Sequence, residues 1–150
     1  MNYEIMSKFE IEIVHYFESE GSVAEIYYDS FQWAEISKEN GETKIEFYSH
    51  PDKEHWEFPC EEAIKILERA KNIFLTRRNK RSSLQEEVVL DPKQINEQAQ
   101  KVLEGIVNHP QKKMIQGRLK RFGNVVDIYA PDMGGARYRA DGEFIGFLEP

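Results

Sequence analysis

The stretch RFGNVVDIYAPDMGGARYRADGEFIGFLEP, residues 121–150, decides the fold of the C-terminal part of the chain. Apolar and polar residues alternate in three short segments, and this period is typical of half-buried β-strands. The segments are 124–130, 135–140 and 143–149. Asp141-Gly142 is a strong signal for a two-residue hairpin turn, and PDMGG forms a loop between two of the segments. The stretch therefore predicts antiparallel strands joined by short turns.

The residues before this stretch predict one more strand and a helix. Residues 113–120 continue the β-pattern, and residues 91–110 have the apolar period of a helix. Pro92 suits the first helical position, and His109-Pro110 ends the helix. Residues 91–150 are therefore predicted as a module with one helix followed by a four-stranded antiparallel meander.

Residues 1–76 predict a second module of the same class. Asn40-Gly41 indicates a hairpin, and a helix begins after Pro59 with an apolar stripe that ends at Phe74. The predicted strands cover 8–17, 22–29, 31–39 and 44–50. Residues 77–90 are polar, have no apolar period and are predicted as a linker. The predicted fold class is α+β, with two small modules that each combine an antiparallel meander and one packing helix.

The two predicted modules carry opposite charge. Residues 1–76 contain 7 Lys and Arg against 17 Asp and Glu, whereas residues 77–150 contain 13 against 10. An acidic half joined to a basic half indicates a surface for phosphate next to a module that competes for it. The alternative is an ordinary solvated surface with a chance asymmetry.

The composition favours a cytoplasmic protein without a bound metal or cofactor. Cys60 is the one cysteine, no apolar run is long enough for a membrane span, and the first residues lack the layout of a signal peptide. The histidines have no metal-ligand spacing, and no phosphate-binding glycine motif is present. We therefore expect no metal, no cofactor and no membrane partner.

Metal-free RNA cleavage is the chemistry that this composition best permits. The 2′-hydroxyl attacks the adjacent phosphate, so a base, an acid and cations near the phosphorus are needed. The predicted catalytic residues are His109, Arg121, Arg137 and Tyr138, with Tyr129 as an alternative to Tyr138 for base stacking or proton donation. The predicted RNA-binding residues are Lys112, Lys113, Arg118, Lys120 and Arg139.

Each candidate also has a plain structural interpretation. His109 stands at a helix end before proline and could serve only as a C-terminal cap. Lys120, Arg121 and Arg139 could form a solvated strand face. Arg137 and Tyr138 are neighbours on one strand, so their side chains lie on opposite faces and at most one of them faces a site. Asp127 stands among apolar residues, which favours an ion pair with a nearby arginine.

Residues 121–150, with NHPQKKMIQGRLK before them, resemble the C-terminal toxin tips of bacterial polymorphic toxins, the contact-dependent inhibition and haemagglutinin-like effectors. The resemblance implies a ribonuclease whose substrate is RNA or tRNA. The order of one helix and four strands is similar to that of barnase-like, colicin-type and RelE-like ribonucleases. Residues 1–76 resemble small acidic immunity-type proteins.

The chain departs from the toxin-tip pattern at two places. The pattern has PDGRG where this chain has PDMGG, so Met133 and Gly134 replace a glycine and an arginine. Histidines that the pattern places before RFG are replaced by GRLK. Both departures remove groups that would hold phosphate or transfer a proton.

Three hypotheses for function follow from these observations. The first is a toxin–immunity type protein in which the acidic module holds a ribonuclease-like module, within one chain or between chains. The second is a non-catalytic immunity or antitoxin protein that binds and masks a nuclease toxin. The third is simple RNA binding by the basic strands. Exposed edges of the meanders also predict a homodimer.

Overall fold

The fold is a single antiparallel sheet with both helices on one of its faces. The computed structural model describes the backbone of residues 8–16, 21–87 and 92–150, and the side chains of 8–16, 21–77 and 97–150. The elements in chain order are β1 (Phe9–Tyr16), β2 (Ser22–Tyr28), β3 (Phe31–Glu39), β4 (Glu42–Phe47), α1 (Cys60–Glu87), α2 (Pro92–Val107), β5 (Lys113–Leu119), β6 (Gly123–Ala130), β7 (Gly134–Arg139) and β8 (Phe144–Leu148).

The eight strands form one sheet in the order β4-β3-β2-β1-β8-β7-β6-β5. The first and last strands in the chain's order thus meet in the middle, where Val14, His15 and Tyr16 pair with residues 146–148 of β8. We call this pairing the seam. The α+β class with antiparallel strands and two helices is confirmed. The sheet has an N-terminal half (β1–β4 and α1) and a C-terminal half (α2 and β5–β8), and the division of the chain into two modules stays a prediction.

Two hairpin turns follow from local sequence alone. Asn40 and Gly41 have positive φ angles of 52° and 80°, as a type I′ turn requires between β3 and β4. Gly142 has a φ of 93° in the turn between β7 and β8. The Asn-Gly turn is confirmed. The Asp-Gly turn is present at the predicted place, but the backbone N–H of Arg139 donates to the carbonyl of Glu143 at 2.8 Å, so the loop has three residues, 140–142, and not the predicted two.

One predicted boundary is wrong. Residues 77–87, predicted as part of a polar linker, continue α1, while residues 88–90 of that linker lie outside the described residues. The stretch contains no glycine or proline and is rich in arginine, glutamine and glutamate, which favour a helix. The linker was predicted because residues 77–90 have no apolar stripe at helical spacing. That stripe reports whether a helix packs against a core, and it is not needed for the helix to form.

The helices cover one face of the sheet in two places. Ala70 and Phe74 of α1 pack on a core that includes Ile26 and Trp33 of the N-terminal half. Ile106 of α2 packs on the C-terminal half, against residues such as Ile128 and Ala136. Among the described residues, no helix packs on the other face of the sheet.

The other face is concave, because the two ends of the sheet approach each other. The backbone N–H of Lys120, just after β5, donates a 3.2 Å hydrogen bond to Oε1 of Gln32 in β3. Leu119 and Val125 of one end share a buried cluster with Val14 and Val23 of the other half. The sheet is therefore curled like an open barrel, and the side chains of this cluster at the centre of its concave face are shielded from solvent.

Candidate functional site

The concave face holds a buried charge cluster, which we define as Tyr16, Glu25, Tyr27, Asp127 and Arg137. The register of β6 and β7 sets Asp127 directly opposite Arg137, and the register of β1 and β2 brings the tyrosines and Glu25 to the same face. Buried charges are costly unless they are paired and hydrogen-bonded. The cluster is therefore stable only because each half of the sheet contributes partners to the other.

Arg137 lies at the centre of the buried charge cluster and is 1% exposed. Its Nε and Nη2 atoms donate to the two carboxylate oxygens of Asp127 at 2.8 and 2.9 Å. Its Nη1 atom donates to Glu25 at 2.7 Å and to Tyr16 at 2.6 Å, and Nη2 also donates to Tyr27 at 3.3 Å. These bonds use all five N–H donors of the guanidinium. Arg137 therefore has no donor left for a phosphate in this conformation.

Glu25 accepts hydrogen bonds from three other members of the buried charge cluster, Tyr16, Tyr27 and Arg137. The hydroxyls of Tyr16 and Tyr27 each donate to it at 2.5 Å. Burial, followed by the charge of Glu25, raises the pKa of both tyrosines well above the ordinary value. Burial alone would lower the pKa of Arg137, but its hydrogen bonds with Asp127 and the charge of Glu25 raise it. The tyrosines are therefore neutral donors and Arg137 is a permanent cation.

Glu12 of β1 lies next to the buried charge cluster, in a groove of about 760 Å³ between β1, α1 and the turn from β6 to β7. Burial raises its pKa to about 7. The charge of Arg137 and a hydrogen bond with Tyr129 act in the opposite direction. A carboxyl group with this pKa can both accept and donate a proton near neutral pH. Glu12 is thus the described side chain of this groove best suited to proton transfer.

A second ion pair joins the two halves where the ends of the curled sheet approach each other, which we call the open side of the curl. Nη2 of Arg121 lies 3.2 Å from Oε2 of Glu35 in β3, and the hydroxyl of Tyr48 donates to the same oxygen at 2.7 Å. Burial raises the pKa of Glu35, while Tyr48 and Arg121 lower it. The side chain of Arg121 is 42% exposed, so it could exchange Glu35 for another anion without opening the core.

His109 follows α2 and lies away from the concave face. Its Nδ1 atom accepts the backbone N–H of Gln111 at 3.0 Å, and its carbonyl accepts the N–H of Lys112 at 3.3 Å. The neutral ring therefore carries its hydrogen on Nε2 and can only donate there. This geometry agrees with the helix-end interpretation of His109 and gives it no lone pair for a general base.

The remaining predicted residues are spread over both faces of the sheet. Tyr138 packs edge-on against Phe144 on the helix side, so it lies on the face opposite Arg137, as predicted. Nζ of Lys112 donates to the carbonyl of Val107 at 2.6 Å and so provides a hydrogen-bond partner for a carbonyl at the C-terminal end of α2. Arg139 lies over the ring of Phe122 and 3.4 Å from Glu143. The structure does not bring His109, Tyr138 and Arg137 together.

Lys113, Arg118 and Lys120 are exposed on and just after β5. None of the three side chains forms an ion pair with another described residue. They therefore differ from Arg121, Arg137 and Arg139, whose charges are already paired. These three cations are free to meet an anion from solution.

Within the described ranges, no group of three or more His, Cys, Asp or Glu side chains could hold a metal ion. The described helices also include none that is long and apolar enough to cross a membrane.

The sequence reasoning did not identify the acidic partners of the arginines. Glu25 is surrounded by apolar and aromatic residues in SVAEIYY, and Glu35 has a similar place in FQWAEIS. An acid inside such a run is a signal that it is buried and paired. Identifying its partner needs the sheet order, because Glu25 and Arg137 are 112 residues apart.

Comparison with known proteins links this geometry to a family. The model of the CdiA C-terminal tRNase toxin domain matches residues 66–149, more than half of the chain. The chain belongs to this family. No curated protein and no solved structure matches the chain. The match confirms the resemblance to the toxin tips, and it includes α2, β5–β8 and every predicted site residue. Strands β1–β4 lie outside the matched residues.

Proposed function

We propose that this chain is a toxin–immunity type protein of a bacterial polymorphic toxin system. Its ribonuclease-like C-terminal half is held by the acidic N-terminal half. One observation carries the proposal. The two arginines predicted to act on phosphate, Arg121 and Arg137, are paired with Glu35 of β3 and Glu25 of β2, and both of these strands lie outside the toxin-domain match. Cleavage of RNA needs cations next to the phosphate, where negative charge develops in the transition state. Arginines that are paired with carboxylates are not available for this role.

The substrate in this proposal is RNA, and the family description points to tRNA. The reaction is metal-free attack of a 2′-hydroxyl on its own phosphate, in the cytoplasm of the cell that holds the tRNA. Arg121 is the exposed cation that becomes available when its carboxylate partner is removed. Arg137 is fully paired and supports the sheet from inside. Its own action on a phosphate would require the buried charge cluster to open.

A test removes the charge of Glu35 in the full chain. Glu35→Gln keeps the acceptor for Tyr48 but no longer holds Arg121 by charge. We expect the variant to cleave purified tRNA faster than the parent chain and to slow bacterial growth. Adding Arg121→Ala to Glu35→Gln should reduce cleavage on the order of a hundredfold, as does the loss of one donor to a developing oxyanion.

The matched control is Glu42→Gln, which removes the same charge at an exposed position of β4. It should leave tRNA cleavage unchanged. Unfolding curves of all variants verify that they are folded. If neither the parent nor Glu35→Gln cleaves RNA, the ribonuclease function is wrong for this chain.

One observation favours the alternative, a non-catalytic protein that masks a nuclease toxin. The pattern of the toxin tips has an arginine where this chain has Gly134, and the backbone there excludes a side chain. A Cβ atom at Gly134 would overlap the carbonyl oxygen of Leu148. This hypothesis predicts that the full chain binds a purified, active tRNase toxin domain of the family and stops its cleavage of tRNA. If an excess of the chain leaves that cleavage unchanged, the masking function is wrong.

A further inference from the structure

Three rings contact one another in a row at the surface of the N-terminal half, and we call this row the ring stack: Phe31, His50 and Trp56. The centroids of Phe31 and His50 are 4.8 Å apart with their planes tilted by 47°, and those of His50 and Trp56 are 4.6 Å apart with a tilt of 59°. All three side chains are partly exposed. Exposed aromatic faces are where unpaired nucleic-acid bases stack, whatever their sequence.

The ring stack is fixed by hydrogen bonds to the backbone. Nδ1 of His50 accepts the backbone N–H groups of Asp52 and Lys53, each at 3.0 Å. Nε1 of Trp56 donates to the carbonyl of Tyr48 at 2.6 Å. The neutral ring of His50 therefore carries its hydrogen on Nε2, as a donor. A platform that is already ordered loses little entropy when a ligand binds.

A cleft of about 440 Å³ lies between the ring stack and the end of β5. Its volume is in the range of sites for small molecules, roughly 300–1,000 Å³. Phe31 and His50 line one side, and Arg118 and Lys120 line the other. Asp52 is the one carboxylate among the described residues that line the cleft, so positive charge prevails there.

We infer that this cleft binds one nucleotide of RNA, with its base on the ring stack and its phosphate against Arg118 and Lys120. The inference rests on the proposed function, because RNA is the polymer on which that function acts. The cleft combines aromatic rings of the N-terminal half with cations of the C-terminal half. The ring stack lies outside the toxin-domain match, and both cations lie inside it. The cations are also those that lack a partner among the described side chains.

The neighbouring charges agree with this arrangement. Arg121 follows Lys120 directly and is held by Glu35 at the same open side of the curl. A phosphate at Arg118 and Lys120 would bring the next phosphate of the strand towards Arg121. Binding in the cleft and release of Arg121 from Glu35 are thus separate events at adjacent positions.

The test measures binding of a short single-stranded RNA whose 2′-hydroxyls are methylated, because attack by a 2′-hydroxyl cannot cleave it. The full chain and its variants are titrated by fluorescence anisotropy. His50→Ala should weaken binding about tenfold, while His50→Phe should keep most of it, since stacking needs a ring. The double variant Arg118→Gln and Lys120→Gln should also bind at least about tenfold more weakly, and the dependence of binding on salt should fall.

The matched control is Lys65→Gln with Lys71→Gln. It removes two exposed positive charges from α1, and neither residue lines the cleft. It should bind the RNA about as well as the parent chain. Thermal unfolding verifies that each variant is folded. Binding that is unchanged by His50→Ala, or weakened as much by the control, would overturn the inference.

The test separates this inference from the proposed function. If tRNA is cleaved but His50→Ala binds normally, the nucleotide cleft is wrong and the ribonuclease function remains. If the cleft variants lose binding of the methylated RNA while no variant cleaves tRNA, the cleft is supported and the ribonuclease function is wrong.

Discussion

At the scale of single residues, Arg137 is the side chain on which the concave face most depends. Arg137→Met would leave the carboxylates of Glu25 and Asp127 buried without their cation. Breaking a buried pair in this way costs about 3–5 kcal/mol. We expect the free energy of unfolding in urea to fall by that amount.

The matched control for this prediction is Arg139→Met, two residues further along β7. Arg139 is 38% exposed and lies 3.4 Å from the exposed Glu143. Its loss should cost less than about 1 kcal/mol, as is usual for surface pairs. Equal effects of the two substitutions would contradict the structural role of the buried charge cluster.

Glu12 predicts how stability changes with pH. Burial raises its pKa from 4.5 to about 7, the charges of Asp127 and Glu25 add to this, and Arg137 and Tyr129 oppose it. Because the pKa is higher in the folded chain, the stability that Glu12 contributes is present at low pH and is lost as pH rises through about 7. Glu12→Gln should therefore stabilise the chain at about pH 8, by at most about 3 kcal/mol, and have little effect at about pH 4.

Urea unfolding at both pH values checks the prediction for Glu12. The control is Glu10→Gln, at an exposed position on the same face of β1. It should not reproduce the gain at the higher pH. A Glu12→Gln variant that is no more stable than the parent at about pH 8 would show that Glu12 is not held in a desolvated site.

At the scale of elements, the glycines of two turns distinguish two reasons for requiring glycine: a positive φ angle, and a lack of room for a Cβ atom. Gly134, at the start of β7, and Gly142, between β7 and β8, have φ angles of 82° and 93°. A Cβ atom at Gly142 would meet nothing, whereas one at Gly134 would overlap the carbonyl oxygen of Leu148. Gly142→Ala should cost about 1–2 kcal/mol for its conformation alone. Gly134→Ala should cost at least about 1–3 kcal/mol more, measured by urea unfolding.

The elements also show what the sequence could predict and why. The strands and the positions of both turns, with Asn-Gly and Asp-Gly, were correct because their signals are local, although the second loop has three residues instead of two. The end of α1 was missed because a helix of good formers needs no apolar stripe. The seam and the pairs of Glu25 and Glu35 with arginines were not predictable, because each joins residues that are at least 86 apart. Sequence patterns define faces of strands, and the partner on a face depends on the order of strands.

At the scale of the whole molecule, one sheet across both halves predicts one cooperative unfolding transition. Ile106 of α2 is fully buried in the C-terminal half, whereas both tryptophans, Trp33 and Trp56, lie in the N-terminal half. Ile106→Ala removes buried methyl groups and should cost about 2–5 kcal/mol. We expect the urea midpoint seen by tryptophan fluorescence to fall together with the midpoint seen by far-UV circular dichroism.

Two separately folded modules would give a different result. Tryptophan fluorescence would then keep the parent midpoint in Ile106→Ala, and only the circular dichroism curve would move. Ile64→Ala, at an exposed position on α1, serves as the control and should leave both curves in place.

The seam between β1 and β8 has a consequence for relatives that share only the matched toxin domain. Without β1, the residues of β8 that pair at the seam would present a row of unpaired N–H and C=O groups, which is a template for a strand of another chain. In this chain, β1 pairs with that edge, so the strand that completes the sheet is supplied by the same polypeptide. A toxin domain of this fold made without residues 1–65 would need a borrowed strand, from a partner protein or from a second copy, to complete its sheet.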